Sequence, residues 1–322
     1  MNLLRRWTGE PAYADPDAAM RGSAAAWRAQ LDPARLRELV EALPAPRSRL
    51  HHPEAMAATD ALLLTAWAAA GWTVERTEVH LENVRGVIDV EAARGTPKGN
   101  HTYARLDGAN LVAGLPGEIE DAIVIVAHHD TVKDSVGADD NGAGVVALLE
   151  LARLLAGRRF HRTVLLAAPD FEEIGLLGSP VLVAALQARR PVAAAIVFDP
   201  IGYMNRAPDT QVVPPRLDRI YPAQLERLAG RNRAGDTVIS IYQARGTALA
   251  RLWARCLAAT IGRDRVLLIR DPVDIPLLGR LARRIPAARD FSRSDHVAFW
   301  RVGLPALHVT NTGNFRNPNY HR

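Results

Sequence analysis

Three segments, residues 123–126, 164–167 and 194–198, are apolar at every position, and stretches with helical spacing separate them. A strand that is apolar on both sides must be covered on both sides, so such a chain needs helices on either face of a mostly parallel sheet. The expected fold is α/β: a three-layer sandwich with a central, mostly parallel mixed β-sheet flanked by helices. Further strands are expected at 238–242, 266–269 and 305–309, with a half-exposed one at 72–79. Helices are expected from Asp32-Pro33 through Leu43, from Ala55 until Gly71, over 143–155, from Ser179, and over 248–261. The turn-rich stretch 95–108 reads as a loop, and the irregular stretch 207–236 as an insertion that shapes a pocket.

Composition removes several classes of function. Cys256 is the only cysteine, which excludes an internal disulfide and any multi-cysteine metal site. The net charge of +5 rests mostly on Arg residues scattered along helical segments, without a basic cluster interleaved with aromatics. No nucleic-acid partner is therefore expected. The longest apolar run, 61–72, is broken by Thr65 and Gly71 and falls short of the ~20 residues that span a bilayer, so no membrane partner is expected. The first residues lack a signal-peptide core, and a cytoplasmic location is the expectation. No Gly-x-Ser-x-Gly elbow occurs, and Cys256 falls in an apolar-patterned helix, which argues against serine or cysteine catalysis.

The chemistry collects where the three apolar segments end. In open α/β sheets, ligands bind beyond the carboxyl ends of the strands. These segments run into Ala127-His128-His129-Asp130, Asp170-Phe171-Glu172-Glu173 and Asp199. Each signal has an ordinary reading: a His-x-Asp can close a loop, residues 137–144 fit a tight turn with an Asp or Asn helix cap, and paired glutamates suit a solvated loop. Yet adjacent carboxylates after a buried strand are costly to bury without something positive between them, and Asp199 repeats the problem. One two-metal centre accounts for all four segments. Asp130 suits a supporting role, accepting a hydrogen bond from the His128 imidazole and fixing its tautomer. His129 should point the opposite way from His128 on a strand end. His51, His52, His80, His101, His161 and His308 read as surface or core residues.

The segments 127–130, 137–144, 172–179, 198–199, 294–299 and 317–321 resemble, in order, those of the dinuclear-zinc aminopeptidases of peptidase clan MH. The similarity covers about residues 32 to 321. It implies the zinc exopeptidase fold, two Zn²⁺ ions and a peptide substrate. Asp140 would bridge the ions, His128 and Asp199 would complete one site, and Glu173 and His321 the other. Glu172 would be the general base of a zinc-bridged water and Asp130 the orienting carboxylate. Ser294, Asp295 and His296 would lie beside the substrate pocket. The resemblance also implies a strained peptide bond between Asp139 and Asp140.

The implied domain plan is an N-terminal extension, 1–31, and a single catalytic domain, 32–322. The family normally continues past the last histidine with Ser/Thr-Asp-Thr and a final helix, whereas this sequence stops at Arg322, so the ligand His321 is expected to fray. The implied activity is that of an exopeptidase, foremost an aminopeptidase. A carboxypeptidase of the same clan shares the ligands. A glutaminyl-cyclase-like aminoacyltransferase uses one zinc and departs from the pattern around Asp140, and a non-catalytic binding domain would have lost the metals. Zinc, cobalt and manganese would all accept this ligand set.

Overall fold

The computed structural model describes residues 8–89, 99–215, 217–276, 279–282, 284 and 286–322, and one eight-stranded sheet runs through them. Helices α1 (Ala18–Arg28), α2 (Pro33–Ala42) and α3 (Pro53–Ala69) precede the long strands β1 (Thr73–Val87) and β2 (Asn100–Leu115). Then follow β3 (Ile119–Val126), α4 (Ala143–Leu155), β4 (Arg162–Ala168), α5 (Gly178–Gln187) and β5 (Val192–Phe198). The last third contributes α6 (Pro222–Ala229), β6 (Val238–Tyr242), α7 (Thr247–Ile261), β7 (Val266–Arg270), α8 (His296–Arg301) and β8 (Ala306–Thr310).

The strand order is β1-β2-β4-β3-β5-β8-β6-β7. The central four, β4, β3, β5 and β8, are mutually parallel. Antiparallel pairs β1–β2, β2–β4 and β6–β8 make the flanks, so the sheet is mixed and mostly parallel, as the apolar segments predict. Successive side chains of a strand face opposite ways, and β4 uses both faces. Leu165 and Ala167 enter a core with Leu182 and Leu186 of α5 and Phe299 of α8. Val164, Leu166 and Ala168 enter the opposite core with Leu63 and Trp67 of α3 and Val145 and Leu148 of α4. A third cluster packs Ala250 and Ala254 of α7 on Leu268 and Leu307, and Phe198 joins it to the second.

The local signals act as expected at several ends. Asp32 caps α2 by accepting a hydrogen bond from the Ala34 amide at 2.9 Å, with Pro33 in the first turn. Gly71, at φ +83°, follows the end of α3. Two stretches differ from expectation. Residues 100–108 are strand, not loop, because they pair with β1 from Asn100↔Val87 to Gly108↔Val79. Gly108 has a packing reason: a Cβ there would lie 2.5 Å from Asp170 and Phe171 atoms. Residues 95–98 of that expected loop lie outside the described residues. Within 207–236, a helical turn at Leu217–Ile220 and helix α6 replace the expected irregularity, with Pro222 in the first turn of α6.

The N-terminal residues pack on this body. Glu10 accepts hydrogen bonds from the Leu268 amide and from Arg227, both at 2.7 Å, and Arg255 of α7 reaches Asp17 at 2.7 Å. Among the described residues, no helix is long and apolar enough to cross a membrane.

Candidate metal centre

Register decides where the candidate ligands stand. Val126 of β3 is level with Val197 of β5. His128 lies two residues past the first and Asp199 two past the second, so both emerge at the same height beyond the carboxyl edge. The chain leaving β4, next to β3 on its other side, brings Glu172 and Glu173 to that edge. Asp140 arrives from the loop before α4, and His321 from the C-terminal segment after β8.

All of these side chains are buried, and they form two groups whose ligand atoms lie within 4.8 Å of one another: His128, Glu172 and Asp199, and Asp140, Glu173 and His321. Asp140 spans both. Its Oδ1 is 3.0 Å from His128 Nε2 and its Oδ2 is 3.1 Å from His321 Nε2. His321 Nε2 is also 3.2 Å from Glu173 Oε1, while His128 Nε2 is 3.7 Å from Asp199 and 3.9 Å from Glu172.

Two layers of contacts aim these groups. Asp130 turns its carboxylate to the next loop, where Oδ1 accepts from the Glu172 amide at 3.2 Å and Oδ2 from the Glu173 amide at 3.1 Å. His128 Nδ1 meets the Asp130 backbone carbonyl at 3.1 Å and its carboxylate at 3.4 Å. A hydrogen bond donated from Nδ1 leaves Nε2 as the atom facing the carboxylates. The adjacent aspartates divide their duties. Asp139 accepts from the Gly202 amide and from Asn311 and Asn317, each at 2.8 Å, so its carboxylate is fully engaged away from the centre. Asn141 donates to the Phe198 carbonyl at 2.7 Å, tying the loop to β5. A cis peptide bond joins Asp140 to Asn141, one residue beyond the position implied by resemblance.

Arg47 is a positioning residue that the sequence did not reveal. Fully buried, it donates to the carbonyls of Pro44, His129, Val136 and Gly137 at 2.9–3.3 Å, bracing the two loops that carry His128 and Asp140. Gly137, at φ +56°, admits this approach, since a Cβ there would lie 2.2 Å from Thr131 and 2.9 Å from Arg47. Arg47→Ala removes four hydrogen bonds, two of them buried, and is expected to cost roughly 3 kcal/mol. Chemical denaturation of the two proteins checks this, and a loss under about 1 kcal/mol would remove Arg47 from the frame. His129 points away from the centre, with Nε2 3.0 Å from Asp60 and Nδ1 2.8 Å from the Pro169 carbonyl.

The electrostatics favour a cation. Burial pushes the Glu172 carboxyl well above its ordinary value, as does repulsion from Asp199, Glu173 and Asp295, against the attraction of His128. Burial works against charge on His321, but Glu173 and Asp140 outweigh it and raise the imidazole to about 9. His128 is likewise raised well above its usual value, against burial, by Glu172, Asp130, Asp140 and Asp199. Asp140 is held well below the usual carboxylate range, also against burial, by its two histidine partners.

The peptidase family M28 model matches residues 110–244, the segment that contains the strand ends and the Asp140 loop. Over that segment the chain is similar to peptidase family M28. An uncharacterized Escherichia coli protein, YfbL, is 32% identical over 66% of this chain and 62% of its own length. Leucine aminopeptidase 1 of Neurospora crassa is 30% identical over 41% of this chain and 36% of its own. The chain thus spans less than two thirds of the length of these curated relatives. Among solved structures, the LapA aminopeptidase of Legionella pneumophila shares the fold at a TM-score of 0.60 and 19% identity, over 97% of this chain and 69% of that one. So does a glutaminyl cyclase of Porphyromonas gingivalis, at 0.53 and 17%, over 90% and 82%.

Beside the candidate metal centre opens a cavity. Asp199 forms part of its wall, and Val212, Leu225, Ile241, Leu267 and Phe291 make much of the rest. The stretch 207–236 supplies one side of it. Ser294, Asp295 and His296 are fully buried and lie outside its lining, whereas their neighbours Asp290, Phe291 and Arg293 line it. His296 stacks on His308 at 4.5 Å and meets the Phe291 carbonyl at 3.0 Å. Burial raises Asp295 to about 7, with Asp199 and Asp130 adding to the shift and His128 opposing it.

Proposed function

We propose that this chain is a zinc-dependent exopeptidase of the aminopeptidase type, with two ions held through Asp140. The observation that carries this reading is the Asp140 carboxylate, whose two oxygens each face a different histidine at 3.0 and 3.1 Å. The donor set fits the metal: imidazole nitrogens and carboxylate oxygens, all buried, suit zinc. His128 and Asp199 would hold one ion and Glu173 and His321 the other, with Asp140 shared. When bound, zinc supplies Lewis acidity that polarises a carbonyl and acidifies water.

The remaining chemistry belongs to the protein. Glu172, buried beside His128 and Asp199, accepts a proton from the attacking water and delivers it to the departing amine. Asp130 fixes the Glu172 and Glu173 backbone, so two adjacent glutamates keep separate orientations. The apolar cavity takes the side chain next to the scissile bond and excludes water from it. The names of the relatives support a peptidase, and removal of an apolar N-terminal residue is the activity to assay first.

Metal uptake is expected to release protons. His321, at about 9, is protonated at pH 7, and ligation requires the neutral ring. Zinc added at pH 7 should therefore release at least about one proton per chain, with the raised His128 adding to it, and affinity should fall as the pH drops below 9. A zinc titration followed with a pH indicator in weak buffer checks this. Binding without proton release would count against the two histidines as ligands.

A further inference from the structure

Among the described residues, Arg293 is the one Lys or Arg that lines the cavity. Its side chain is 41% exposed, yet it sits in a concave wall that it shares with Asp199, Tyr320 and Phe291. The guanidinium has five N–H donors and little to bind: Asn314 Oδ1 at 3.3 Å and, beyond hydrogen-bond distance, Asp290 at 3.8 Å. By contrast, two less exposed arginines of this chain are engaged. Arg49 clamps Asp60 and Asp170 at 2.8–3.2 Å, and Arg47 holds four carbonyls. Tyr320, stacked at 3.9 Å on the His321 ring, lines the same wall, and its hydroxyl has no hydrogen-bond partner among the described residues. The Asp290 and Asp199 carboxylates help to hold the Arg293 charge. An exposed guanidinium with spare, forked donors beside a second hydroxyl donor is the arrangement that takes a planar carboxylate.

We propose that Arg293, with the Tyr320 hydroxyl, forms a carboxylate-binding subsite in the cavity wall, and that the preferred substrates carry a carboxylate there. This rests on the exopeptidase reading, because it places that carboxylate on the peptide being cleaved. Two parts of a peptide can supply the group: the free α-carboxylate of a very short peptide, or an acidic side chain. Arg293 acts as a specificity residue, separate from the groups that move the proton.

The test compares matched substrates with zinc-loaded protein. Leu-Leu is set against Leu-Leu-amide for the α-carboxylate, and Glu-anilide against Gln-anilide for the side chain. The wild type is expected to prefer the carboxylate member of one pair by about 10- to 100-fold in kcat/KM, mainly through KM. Arg293→Gln should collapse that ratio toward 1, and Arg293→Lys should restore part of it. A ratio is insensitive to partial loss of folded protein. Calorimetric binding of the same pairs to the Glu172→Gln variant gives a second readout without turnover. Equal treatment of both members of both pairs by the wild type overturns the proposal, as does a preference unchanged in Arg293→Gln. If no substrate turns over at all, the exopeptidase reading fails, and the calorimetric comparison still decides whether Arg293 selects carboxylates.

Discussion

Glu172→Gln is expected to lower turnover by about 10²- to 10⁴-fold while leaving zinc content unchanged. The amide nearly matches the carboxylate in shape but cannot take a proton from water. The contrast between activity and metal content matters, because Glu172 lies in ligand reach of His128 and Asp199. Metal analysis beside aminoacyl-anilide turnover separates the roles. Loss of zinc together with activity would make Glu172 a ligand, and full turnover would remove it from the mechanism.

Asp140→Asn should do something different: empty the centre. Asp140 faces both histidines, so its replacement removes a shared negative ligand and leaves the other carboxylates to confront each other with less bound charge. Zinc is expected to fall from about two per chain to below about one, and turnover to background. Asp139→Asn is the internal control. Its carboxylate binds Gly202, Asn311 and Asn317, so this change should loosen the loop and lower stability while ligation persists in the folded fraction. If Asp139→Asn emptied the centre and Asp140→Asn did not, the two adjacent aspartates would have been assigned in the wrong order.

The parts of this fold that could be read from sequence are those in which burial dictates composition. β3, β4 and β5 are covered on both faces, so their apolar runs and their polar ends were both visible, and the level register of Val126 and Val197 then fixes His128 and Asp199 side by side. β2 escaped because residues 100–108 belong to a ribbon with no strand beyond β1. There Thr, Asn and Gly are tolerated, and the composition resembles a loop. Helix α6 was hidden by its length of 8 residues and by the irregular chain around it.

The same distinction runs through the site. The ligand candidates stand at strand ends and in compact motifs, which local reading can find. Arg47 braces carbonyls 82 to 90 residues away at His129, Val136 and Gly137, and no local pattern records such a contact. In the stretch 290–296, sequence drew attention to Ser294, Asp295 and His296, but the residues that face the cavity are Asp290, Phe291 and Arg293. Only the packing of His296 on His308 and Trp300 shows which side of that segment is inward. His321 owes its place to the Tyr320 ring stacked on it and to Asp140 and Glu173 opposite, with Ser135 holding the Arg322 carbonyl at 3.3 Å. These contacts hold His321 against Asp140 and Glu173.

The most direct test is to titrate the metal-free protein with zinc while following both bound metal and release of the N-terminal residue from a peptide. Two equivalents bound per chain, with turnover rising as the second site fills and vanishing again on chelation, is the predicted result. A folded protein that binds no zinc, or one that reaches full activity with a single equivalent, would contradict the two-metal centre built on Asp140.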